Sequence, residues 1–131
     1  MLNQIPFMKE NLKILIADDN ELMRVIMRGF FNKYLNGSIV FQTTNLEDTY
    51  TILTQEDINL LILDINMPDG DSSPQIVVEI KKQYPDLKVV MFSGNDKNTL
   101  ETSYLDAGAI GFIQKDENMK IYTQELMARI F

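Results

Sequence analysis

Short apolar runs alternate with amphipathic segments along the whole chain after about residue 11. Leu12–Ala17 (LKILIA) is apolar and rich in β-branched residues, and it stops at Asp18-Asp19, which predicts a buried strand. Leu22, Val25, Ile26 and Phe30 follow at helical spacing until Asn36-Gly37. Ser38–Thr43 (SIVFQT) predicts a second strand, and Asn45 the cap of a short helix carrying Leu46, Tyr50 and Leu53. Ile58–Leu63 (INLLIL) is the most uniformly apolar run, as expected of a strand covered on both faces, and it ends at Asp64.

The second half repeats the pattern. Met67-Pro68-Asp69-Gly70 predicts a turn, and Ser73-Pro74 supplies a cap followed by a proline suited to the first helical position. That helix turns Val77, Ile80 and Tyr84 inward and ends before Pro85. Leu87–Phe92 (LKVVMF) predicts a strand leading to Ser93-Gly94, and Asp96–Ala107 a helix closed by Gly108. Ala109–Gln114 (AIGFIQ) predicts the last strand, ending at Lys115, and Asn118–Phe131 the last helix. Five strand-then-helix repeats imply an α/β fold with a doubly wound parallel sheet, helices on both faces and right-handed crossovers. The expected organisation is a short N-terminal extension at 1–11 and one domain at 12–131.

Composition narrows the chemistry. The chain has 131 residues, no cysteine and no histidine. Thiolate and imidazole metal sites, thiol nucleophiles and Ser-His-Asp catalysis are therefore excluded, whereas oxygen-ligand chemistry is not. Twelve Lys and Arg against nineteen Asp and Glu give a net charge of −7, which argues against direct nucleic-acid binding. No run approaches the length of a membrane span, and the first residues lack a signal-peptide pattern, so the expected location is the cytoplasm.

In open parallel sheets, sites form beyond the carboxyl ends of the strands. There the chain carries Asp18 and Asp19, Asp64, Ser93 and Lys115, while the second strand ends in uncharged Thr43-Thr44. Each has a plain reading: Asp18, Asp19 and Asp64 as cap or turn residues, Ser93 as a helix opener, Lys115 as a solvated lysine. Together they read differently. Crowded carboxylates need a compensating cation, and an oxygen-only set suits Mg²⁺ or a similar hard ion. A lysine and a hydroxyl nearby suit phosphoryl oxygens, and a central carboxylate is a competent nucleophile.

These motifs closely resemble the receiver domain of two-component response regulators, of the chemotaxis single-domain type. The likeness rests on Ile16-Ala17-Asp18-Asp19-Asn20, Leu61-Ile62-Leu63-Asp64-Ile65-Asn66-Met67-Pro68, Phe92-Ser93-Gly94, and Ala107-Gly108-Ala109 leading to Phe112-Ile113-Gln114-Lys115. It implies a flavodoxin-like (βα)5 fold with strand order 2-1-3-4-5. It also implies that Asp64 takes a phosphoryl group from a histidine kinase or histidine phosphotransfer protein. Mg²⁺ would be held by Asp19, Asp64 and the backbone carbonyl of Asn66, with Asp18 acting through water. Ser93 and Lys115 would bind the phosphoryl oxygens, and Phe112 matches an aromatic switch position. The resemblance places the signal to a downstream target or output domain on the face of the fourth helix, fifth strand and fifth helix, with Tyr104 and Tyr122 as candidate contacts. Homodimerisation stays open.

Three positions depart from the family pattern. Asp116 replaces the proline usual after the lysine, which predicts a trans peptide and a helix-capping role for Asp116. Ser72 replaces a common glycine, and Gly94 replaces a common alanine and leaves room above Asp64. A haloacid-dehalogenase-type phosphatase would need a second acid where Asn66 stands. A flavodoxin-like cofactor binder would place anionic flavin phosphate against Asp18 and Asp19. The remaining alternative is a receiver-like interaction module that works without phosphorylation.

Overall fold

A computed structural model describes residues 12–131, so the expected extension at 1–11 lies outside the described residues. The chain runs β1 (Lys13–Ala17), α1 (Glu21–Tyr34), β2 (Ile39–Thr43), α2 (Leu46–Gln55), β3 (Leu60–Leu63), α3 (Pro74–Gln83), β4 (Lys88–Ser93), α4 (Lys97–Ala107), β5 (Gly111–Gln114) and α5 (Met119–Ile130). The strands form one parallel sheet in the order β2-β1-β3-β4-β5, as expected.

Alternation along each strand builds two cores. Leu15, Leu61, Leu63, Val89, Met91 and Phe112 point to the side covered by α2, α3 and α4. Ile14, Ile16, Leu60, Ile62, Val90, Phe92 and Ile113 point to the other, where Met27 and Phe31 of α1 and Leu126 and Met127 of α5 cover them. A strand with both faces covered has no polar position to spare, which is why the four residues of β3 are all buried.

Local chemistry starts the helices where the sequence places them. Side chains of Asn20, Asn45, Ser73 and Asp96 accept hydrogen bonds from the amides of Met23, Asp48, Ile76 and Asn98. Gly108 ends α4 at φ 120°, and a Cβ there would stand 2.9 Å from Lys81 Cγ.

Strands β3 and β5 begin two residues later than expected. Ile58 and Ala109, the first residues expected of each, donate their amides to the nearby carbonyls of Glu56 and Tyr104 rather than to a neighbouring strand. At the last helix, Asp116 does not occupy the cap. Its carboxylate accepts the Asn118 amide at 2.8 Å in a turn, and Asn118 takes the cap position without a side-chain bond. The Lys115–Asp116 peptide is trans, as expected.

Tyr104 requires a correction. It was expected on the partner surface, yet it is buried, its hydroxyl donating to the Ser72 carbonyl at 2.6 Å and its ring packing on Phe112. Helix α4 has few large apolar residues, so its one aromatic goes to the core. Tyr122 remains exposed, with Leu105 also exposed on α4.

Helix α5 lies close over β5. A Cβ on Gly111 would come within 2.6 Å of Leu126 Cδ2. Gly111→Ala is therefore expected to overpack this seam and cost about 1–3 kcal/mol in urea unfolding. An unchanged midpoint would show that Leu126 swings aside freely.

Candidate functional site

The parallel ladder sets the rim residue by residue. Asp18 donates its amide to the Thr43 carbonyl at 3.0 Å, Asp64 to Ala17 at 2.9 Å, and Lys115 to Ser93 at 2.8 Å. Each residue is thus the next rung beyond its own strand, and its side chain leaves the sheet where a helix no longer covers it.

Asp18, Asp19, Asp64, Ser93 and Lys115, far apart in sequence, converge here. One carboxylate oxygen from each of Asp18, Asp19 and Asp64 lies within 4.8 Å of the others. Asp18 and Asp64 are buried and Asp19 is exposed, so two acids form the floor and one the lip. Lys115 Nζ stands 2.8 Å from Asp18 Oδ2 and 3.4 Å from Asp64 Oδ2, over the Phe92 ring. The ammonium is close to Asp18 Oδ2 but not aligned as a hydrogen-bond donor, and this buried oxygen has no other partner. Asp18 Oδ1 accepts the Asn20 amide at 2.8 Å.

Ser93 Oγ is fully buried and accepts the Asn95 amide at 3.0 Å, which leaves the hydroxyl hydrogen to be donated. Asn66 is exposed beside Asp64. Its amide approaches Asp64 Oδ1 at 3.4 Å, and its side-chain oxygen accepts from Asn95 Nδ2 at 2.9 Å. Phe112 lies apart from these, buried beneath α4 with its ring centroid 5.9 Å from that of Tyr104.

Sequence reasoning missed two supports. Arg24 Nη1 donates to the Asp18 carbonyl at 2.8 Å and Arg24 Nε to Gln42 Oε1 at 3.1 Å, tying the acidic loop to β2. Its place one helical turn after Asn20 is the signal that would have found it. Asn95 links the loop after β4 to the loop after β3, and no spacing rule pairs it with Asn66.

Burial raises the Asp64 carboxyl from the usual 3.8 to about 6. Lys115 pulls the value down and Asp18 pushes it up. Three carboxylates facing one ammonium hold an excess of negative charge, and Asp18 Oδ2 lacks an aligned donor. The oxygen-only donor set and the excess charge both fit a hard divalent cation.

The raised pKa has a stability consequence. The folded-state value lies above that of the unfolded chain, so this contribution is complete below about pH 4 and is lost as pH rises through about 6. Asp64→Asn is therefore expected to stabilise metal-free protein by on the order of 2 kcal/mol at pH 8 and to have little effect at pH 4. Chemical denaturation in the presence of a chelator reads this. A gain of equal size at both pH values would contradict it.

Comparison with known proteins agrees with the fold. The family model of the response regulator receiver domain matches residues 14–130. A "Glycerol metabolism activator" of Pseudomonas putida is 32% identical over 104 residues, covering 79% of this chain and 47% of that protein. The "Transcriptional activator protein ExaE" of Pseudomonas putida is 31% identical over 102 residues, covering 78% and 47%. The chain thus spans about half the length of these curated relatives. The crystal structure of a response regulator from Thermotoga maritima superposes with a TM-score of 0.78 at 23% identity, covering 92% of this chain and 97% of that one. With the match running from β1 to the end of α5, the chain belongs to the response regulator receiver domains.

Proposed function

We propose that residues 12–131 act as a phosphoryl-accepting switch in a two-component phosphorelay. The observation that carries this reading is the reach of Lys115 to both buried carboxylates, Asp18 and Asp64, on one rim. Asp64 is the acceptor. Its carboxylate oxygen attacks the phosphorus of a phosphohistidine, the P–O bond forms as the P–N bond breaks, and the imidazole nitrogen keeps the electron pair. These 131 residues hold no histidine, so the donor histidine lies outside them, on a kinase or phosphotransfer protein. Asp19, Asp64, the carbonyl of Asn66 and Asp18 would hold Mg²⁺, which when bound offsets the negative charge on the phosphoryl oxygens.

The remaining residues position and report. Lys115 exchanges its carboxylate partners for a phosphoryl oxygen, and Ser93 donates its free hydroxyl hydrogen to another. Those contacts exist only with the phosphoryl group present, so they bias the ends of β4 and β5 toward a second arrangement. A groove of about 290 Å³ bordered by Lys97, Glu101, Leu105, Phe112, Tyr122 and Arg129 is the surface that reports it, with Phe112 at its floor. The greater length of the activator relatives supports an output domain or separate target as the recipient. Among the described residues no helix is long and apolar enough to cross a membrane, in keeping with a cytoplasmic role.

Incubation with acetyl phosphate and Mg²⁺ is expected to add the mass of one phosphoryl group to the intact protein. Asp64→Ala is expected to abolish the gain, and a chelator to suppress it. An unmodified wild-type protein would overturn this reading in favour of an interaction module that works without phosphorylation.

A further inference from the structure

Helix α4 is lightly held. It buries one residue, Tyr104, and its N-terminal cap Asp96 satisfies the amide of Asn98 and the hydroxyl of Thr99. The amide of Lys97, the first residue of the helix, is one of the donors that a helix start leaves without an internal partner. It donates instead to Gln114 Oε1 at 3.0 Å. Gln114 is the last residue of β5, paired in register with Ser93 and directly followed by Lys115. Its backbone therefore sits between the two groups that would bind the phosphoryl oxygens, while its side chain grips the first peptide of α4.

The contact continues onto the surface. The Lys97 ammonium lies 3.6 Å from Glu101 Oε2 and 5.1 Å from the centre of the Tyr122 ring, so Lys97 borders the groove between α4, β5 and α5. The geometry points to Gln114 as a positioning residue that carries the state of Ser93 and Lys115 to the start of α4 and so to the Lys97–Tyr122 corner of the groove. This rests on the phosphoryl-acceptor reading and deepens it. Gln114 touches no reacting atom. When the end of β5 shifts with Lys115, the acceptor for the Lys97 amide shifts with it, and the helix start must follow or lose that bond. With only Tyr104 of α4 buried, little packing opposes such a movement, whereas losing the bond leaves a part-buried amide without its acceptor.

The test is amide chemical-shift mapping on the whole chain with Mg²⁺ and beryllofluoride, a phosphoryl mimic. In wild type, amides at Asp64, Ser93 and Lys115 and those of α4 are expected to move together. Gln114→Leu, which removes the acceptor, is expected to keep the shifts at Asp64 and Lys115 and to reduce those of α4 at least about twofold. Gln114→Glu, which keeps an oxygen at the same reach, is expected to restore them. Gln114→Asn, too short to reach the Lys97 amide, serves as the loss variant if the leucine protein does not fold. A merely structural role would lower the melting temperature without separating the two sets of shifts. Full α4 shifts in the loss variant, or no restoration by Gln114→Glu, overturn the coupling alone. A wild type whose Asp64 and Lys115 amides do not respond overturns the acceptor reading and this inference with it.

Discussion

The site depends on placing two buried carboxylates against one ammonium. Asp18 and Asp64 sit on adjacent central strands, so their side chains are crowded by the spacing of the sheet itself, and solvent cannot screen them. Lys115, reaching across from β5, holds that arrangement together. The carboxylates still outnumber the ammonium, and burial raises the Asp64 carboxyl to about 6. The fold tolerates this cost because both cores below the rim are well packed. The same excess charge, on an oxygen-only set of side chains, fits the rim to a hard cation.

Around that centre, each side of the rim has its own supports. The β1 side is tied down by Arg24, which joins the carbonyl of Asp18 to β2, and by the Asn20 amide on Asp18 itself. The β4–β5 side is held by the Asn95 amide on Ser93, the Asn66–Asn95 bridge, and Gln114 on α4. The buried Tyr104 hydroxyl ties the last turn of α4 to the Ser72 carbonyl.

Much of this was legible in the order of residues. Strand β1 is recognisable because apolar positions run unbroken from Ile14 to Asp18, and the caps Asn20, Asn45 and Ser73 because their bonds are local. The starts of β3 and β5 were misplaced because hydrophobicity does not say where a neighbouring strand begins to accept hydrogen bonds. The role of Asp116 was misjudged because turn and cap use the same bond one residue apart. Tyr104 was assigned to the surface because helix α4 has almost no amphipathic pattern from which to tell its two sides.

The amino-acid order alone determined the alternation of elements, the acids and the lysine at strand ends, and the absence of any imidazole. Those follow from periodicity and composition, which act over a few residues. Only the folded chain decided that Asp18 rather than Asp19 meets Lys115, that Asn95 bridges to Asn66, that Arg24 anchors the acidic loop and that Gln114 holds α4. Such pairings join residues from separate strands and loops. They are set by sheet order and side-chain reach in three dimensions, to which spacing along the polymer is blind.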